Sequence, residues 1–173
     1  WPKRLKHLIF NLMFCIRAIF YAQPKQQAIE DLYQVNAIVD ARLRERHLWS
    51  LQGLTLSDAP LLEPELWKIH LQRNLHHDLN GGESISQFAS RIHGALEKIR
   101  AQHSGQTILL VSHGGALDMM YRLASNQPLA TEKAVSVPNA SLNWITHDGK
   151  SWGVERWADT HHLEALALDN LDL

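Results

Sequence analysis

The chain has 173 residues, 45% of them hydrophobic and 20% charged, which suits one globular domain around a single core. Lysine and arginine total 17 against 18 aspartates and glutamates, a formal charge of -1, so no basic surplus exists for binding nucleic acid. A single cysteine, Cys15, rules out an intrachain disulfide framework and fits a reducing compartment, which makes the cytoplasm the expected location.

The chain opens with WPKRLKH and then LIFNLMFCIRAIFYA, basic residues before an apolar run, the outline of a secretory signal. Arg17 interrupts that run, which is shorter than the roughly 20 residues a membrane span needs, and Phe-Tyr-Ala is a poor cleavage site. Export or membrane anchoring is therefore only a minor expectation. PKQQAIEDLYQV reads as a helix with Pro24 in its first turn and Ala28, Ile29 and Leu32 on one face. AIVDARLRERHLWSLQGLTL shows no sustained helical period, and its Gly53 marks a loop returning over the core. LLEPELWKIHLQRNL reads as a helix from near Pro64, with Leu66, Ile69 and Leu75 available for burial. HHDLNGGE is a polar loop. Its His76, His77 and Asp78, like the later pair His161 and His162, lack zinc-site spacing, because adjacent side chains diverge in regular structure.

Ser84 and Gln87 match a capping box, and Ile85, Phe88, Ile92, Leu96 and Ile99 form a stripe at helical spacing. That helix ends near Ser104-Gly105. TILLVSH follows, an almost wholly apolar run that suits a parallel strand covered on both faces, and a helix from about Gly115 to Ala124 completes an α/β series. SLNWITHDGKSWGVERW carries two apolar-rich runs around Asp148-Gly149, a hairpin signal. The tail after residue 163 reads as loosely held.

The chemistry concentrates at ILLVSHGGALDMMYRLA. Ligands of open α/β sheets bind beyond strand carboxyl ends, and a helix N-terminus offers unpaired N–H groups with partial positive charge. His113 stands at such a place. Gly114 and Gly115 would let a phosphoryl group approach the backbone while the imidazole contacts its oxygens. The competing reading is a histidine that only caps the strand end by a hydrogen bond. No Gly-x-x-x-x-Gly-Lys occurs, so an NTP-binding P-loop is excluded.

LLVSHGGALDMMYR resembles the second histidine motif of the histidine phosphatase superfamily, the phosphoglycerate mutase-like proteins. DARLRERHLWSLQGL resembles that family's Leu-x-Glu-Arg-x-x-Gly-x-x-x-Gly block, NGGESISQFASRI its Gly-Glu-Ser helix start, and VPNASLNWI its late Asn-containing strand. Together these cover roughly residues 17 to 162. The resemblance implies transfer of a phosphoryl group to a histidine in an early Arg-His-Gly motif and then to water or a second hydroxyl. It makes His113 the second active-site histidine and Glu45 the acid that protonates the leaving oxygen. Without it, Glu45 reads as a solvated carboxylate in the charged run RLRER. RAIFYAQPKQQAI can be laid over the family's Arg-Ala-x-Gln-Thr-Ala segment, which would make Arg17 a phosphate-clamping arginine, although Leu12, Met13, Phe14 and Tyr21 do not fit the pattern.

The expected fold is α/β, a three-layer α/β/α arrangement with a mostly parallel sheet and a C-terminal hairpin, in one domain over 1–173. No Arg-His-Gly occurs before Arg17, so the family's nucleophile and the first central strand that carries it are expected to be missing. Residues 1–21 read as atypical, fitting a truncated or frameshifted start. Arg91-Ile92-His93-Gly94 imitates the motif but lies in the capped helix, where His93 reads as partly exposed. The resemblance implies no metal and no cofactor. The short passage from Gly53 to Gly82 favours a phosphatase over a mutase, with a small phosphorylated metabolite as substrate and neither nucleic acid nor membrane as partner. The alternatives are a catalytically inactive remnant that binds phosphate and, less favoured, mutase-type phosphotransfer. Oligomeric state is left open.

Overall fold

The computed structural model describes residues 36–132 and 135–163, with Glu30, Asp31 and Gln34, and the backbone of 12–17. The helix expected from Pro24 and the loose tail lie outside the described residues, apart from Glu30, Asp31 and Gln34.

Strands β1 (Leu12–Arg17), β2 (Ala37–Val39) and β3 (Thr107–Val111) form a parallel sheet in the order β2-β1-β3. β1 is apolar up to Arg17, as a strand with a neighbour on each side must be. Its register places Arg17 opposite both Val39 and Val111, so all three strands end at one level. β4 (Leu142–His147) and β5 (Trp152–Asp159) form a separate antiparallel hairpin. The Asp148 carboxylate closes its turn by accepting from the Lys150 and Ser151 N–H groups, each at 2.8 Å, while Gly149 takes φ 97°.

These facts overturn the expected fold class. The described strands make a small open sheet of three and a two-stranded hairpin, not the mostly parallel sheet of a three-layer α/β/α arrangement. The middle strand of the parallel sheet is also present. LMFCIR, from the stretch that reads as atypical, supplies it, because the same apolar run that imitates a signal sequence satisfies a two-sided strand. Among the described residues no strand pairs with the other edge of β3.

Four helices are described: α1 (Ala59–Leu62), α2 (Pro64–Leu71), α3 (Ile85–Gln102) and α4 (Gly114–Ser125). The α3 stripe, with Phe88, Ile92, Leu96 and Ile99, packs on Ala116, Met119 and Met120 of α4 and on the fully buried Leu43. Ile108 and Leu110 of β3, with Ile145 and Trp152 of the hairpin, lie against the same cluster. A second cluster joins Leu51, Ala59, Leu66 and Leu79, with Ile69 packed beside it and Leu75 half-buried. Tyr121 and Trp157 meet at 4.9 Å between ring centroids and join α4 to β5.

The α3 capping box is complete: Ser84 Oγ accepts from the Gln87 N–H at 3.2 Å, and Gln87 Oε1 accepts from the Ser84 N–H at 2.8 Å. Ser84→Ala is expected to lower stability by about 1 kcal/mol, read from the urea midpoint; an unchanged midpoint would remove the box from the account of this helix. His93, on the same helix, has a half-exposed side chain, as its position outside the stripe requires.

Candidate active site

The carboxyl ends of the three parallel strands place two connecting segments side by side. After β2 the chain turns through a short 3-10 turn at Ala41–Leu43, opened by Asp40, whose carboxylate accepts from the Arg42 N–H at 2.9 Å. After β3 it passes through Ser112 and His113 into α4. Ser112 Oγ donates to the Leu43 carbonyl at 2.8 Å and fixes one segment against the other.

That juxtaposition brings Glu45 to the N-terminus of α4. Its Oε2 accepts from the Gly115 N–H at 2.8 Å, across 70 positions of sequence, and its Oε1 accepts from the Arg46 N–H at 2.8 Å. Glu45 is therefore half-buried and doubly held, unlike a solvated carboxylate of a charged run. His113 occupies the cap position of α4 in extended conformation, and its side chain makes no capping bond. Its Nε2 is buried without a hydrogen-bond partner among the described residues. A buried ring nitrogen left in this state is costly unless a ligand satisfies it. Among the described residues Gly114 borders open space, for a Cβ built on it would meet none of them within 4 Å. Arg17 ends β1 at the same level as Val111, two residues before His113; its side chain lies outside the described structure.

The segment carrying Glu45 is held from below by α3 and the residues before it. Glu83 and Arg91 form a buried fork with bonds of 2.7 and 2.6 Å, and Arg91 also donates to the carbonyls of Arg42 at 2.8 Å and Arg44 at 3.0 Å. Arg46 Nε donates to the Glu83 carbonyl at 2.7 Å, and the Glu83 N–H to the His47 carbonyl at 2.8 Å. Glu83 feels two opposed effects. Burial pushes its carboxyl up, while the Arg91 fork and the nearby Arg44 together prevail and hold it below the ordinary 4.5. Gly82 completes the join: a Cβ there would stand 2.5 Å from the His47 carbonyl oxygen and 2.8 Å from that of Asp78. The Asn-Gly-Gly-Glu-Ser string thus has a physical basis in each of its last three residues.

Sequence reasoning missed this support. It also missed Arg122, which is buried on α4 and donates to Asp118 at 3.0 Å, Thr131 Oγ1 at 2.9 Å and the Glu132 carbonyl at 3.0 Å, and also to the Pro128 carbonyl. The spacing of Asp118 and Arg122 is the one available signal, an i,i+4 pair of opposite charge. Among the described residues no group of three or more His, Cys, Asp or Glu could hold a metal ion. His77 and Asp78 instead accept backbone N–H groups within their own turn, from Leu79 and Asn80. No described helix is long and apolar enough to cross a membrane.

Comparison with known proteins identifies the family. The family model of the histidine phosphatase superfamily, branch 1, matches residues 17–160. Phosphoglycerate mutase-like protein 4 of Arabidopsis thaliana is 34% identical over 133 residues, 76% of this chain and 56% of the relative. The metal-independent phosphoserine phosphatase of the same plant is 34% identical over 125 residues, 72% of this chain and 51% of the relative. The aligned part of the chain thus spans about half the length of these two relatives. Among solved structures, Bacillus stearothermophilus YhfR superposes with a TM-score of 0.84 at 24% identity, covering 94% of this chain and 80% of that one, which shows a shared fold. With its family model running from the end of β1 to the hairpin, the chain belongs to the histidine phosphatase superfamily, branch 1.

Proposed function

We propose that these residues form the phosphate-holding and proton-donating half of a histidine-phosphatase-type phosphomonoesterase acting on a small phosphorylated metabolite. The observation that carries the reading is the bond from the Gly115 N–H to Glu45, which sets a carboxyl group beside a helix N-terminus and an unpartnered histidine. A phosphoryl group there would face His113 Nε2 and the Gly114 N–H at the start of α4. Arg17, at the end of the neighbouring strand, is the candidate for a third contact. A histidine nitrogen attacks phosphorus, the ester P–O bond breaks, and the leaving oxygen takes its proton from the Glu45 carboxyl. Water then attacks the phosphohistidine, the Glu45 carboxylate takes a proton from that water, and inorganic phosphate departs.

The sequence contains no Arg-His-Gly, so the reading does not assign the attacking histidine to any of these residues. A second reading is a module that binds phosphate without turning esters over. Both readings predict that inorganic phosphate raises the thermal midpoint, by about 2.7 kcal/mol of stabilisation at a hundredfold excess over Kd, and that His113→Ala removes the effect. A midpoint indifferent to phosphate would sink both. They part over labelling: only the phosphatase reading expects a phosphohistidine, once an attacking histidine is supplied.

A further inference from the structure

We infer that Gly115 is a positioning residue for Glu45, its N–H and its missing side chain together forming the seat of the carboxyl group. The inference rests on the reading of Glu45 as proton donor. In sequence the two glycines after His113 look equivalent, both admitting phosphate to the backbone. The structure separates them. A Cβ on Gly114 would meet none of the described residues, whereas one on Gly115 would stand 2.3 Å from Glu45 Oε1, 2.9 Å from Cδ and 3.1 Å from Oε2. The same residue donates its N–H to Oε2 at 2.8 Å. Gly115 therefore admits the acid, and Gly114 is the glycine left for the proposed phosphoryl contact.

The atoms that an alanine at 115 would strike are the end of a flexible side chain and not backbone. Helix α4 can accept alanine, a good helix former, by turning Glu45 away. The substitution is thus expected to remove the position of the acid and to spare the fold. Glu45 would retain one holding contact, the Arg46 N–H, which belongs to its own segment and does not fix it against α4.

The test uses the full chain carrying 13C-labelled glutamate, with the Glu45 carboxyl resonance assigned through Glu45→Gln, beside calorimetric titration with inorganic phosphate. Gly115→Ala is expected to move the Glu45 resonance while phosphate Kd stays within about threefold of the unmodified chain. Any thermal midpoint lost in Gly115→Ala is expected to return in the Glu45→Ala/Gly115→Ala double variant, where nothing remains to collide. An unmoved Glu45 resonance, or phosphate binding weakened about tenfold or more, would overturn the inference. If the unmodified chain binds no phosphate, the proposed function fails instead, and the resonance still decides the seat of Glu45. Where hydrolysis is measurable, the loss in Gly115→Ala should fall on esters with poor leaving groups, a selectivity that general damage to the helix would not produce.

Discussion

Replacing Arg91 with alanine is expected to lower stability by about 3–5 kcal/mol, because it leaves the buried Glu83 carboxylate without its fork partner. Arg44 does not replace it, since its nearest approach to Glu83 is 3.8 Å from a more exposed position. Arg91→Lys should fall between, keeping the charge but losing the planar fork and at least one of the carbonyl contacts. The deficit should also depend on pH. In the unmodified chain the folded Glu83 lies below its ordinary 4.5, so its contribution is fully present above that value and fades as pH falls through the folded one. In Arg91→Ala, burial acts with far less opposition and raises the carboxyl, so protonation relieves the variant. The difference between the two proteins should be largest near neutral pH and shrink in acid. Urea unfolding across pH measures it, and a difference under about 1 kcal/mol at neutral pH would remove the fork from the account of stability.

The same substitution should reach the site. Arg91 holds the carbonyls of Arg42 and Arg44, and those residues lead directly to Glu45. None of this was legible in the sequence, where Arg91 belongs to a string that merely fails to match Arg-His-Gly. A helical arginine whose acceptors lie 49 and 47 positions earlier leaves no local pattern. Helix α3 itself was legible, because its cap and its apolar stripe are both encoded within one segment. His113 was legible as a candidate from its place between strand and helix, and Glu45 only through family resemblance. Periodicity could place the histidine at a strand end, but a carboxylate in a charged run looks solvated until the fold brings Gly115 to it. The sheet was misread for a related reason. The absent Arg-His-Gly made the strand that should carry it look absent too, whereas the apolar run LMFCIR pairs with β2 and β3 without that motif.

Glu45→Gln is expected to slow hydrolysis of alkyl phosphomonoesters by about a hundredfold to ten-thousandfold in protein supplied with an attacking histidine. The amide keeps an oxygen that can accept the Gly115 N–H, so the side chain should stay in its seat, but it has no proton of suitable acidity to give. An alkoxide leaves poorly unless protonated, whereas a nitrophenolate departs unaided. The loss should therefore be large for phosphoserine and small for p-nitrophenyl phosphate. Stabilisation by inorganic phosphate should survive in Glu45→Gln and vanish in His113→Ala, because one residue serves the leaving oxygen and the other the phosphoryl group itself. Equal losses on both esters would take Glu45 out of proton transfer. Without the supplied histidine, both rates should fall by on the order of a millionfold, since a nucleophile acting as part of a catalytic unit cannot be removed at partial cost. Family-like turnover by these residues alone would mean that one of their own histidines attacks phosphorus. His113, whose Nε2 is buried without a partner among the described residues, would then be the first candidate for the labelled phosphohistidine.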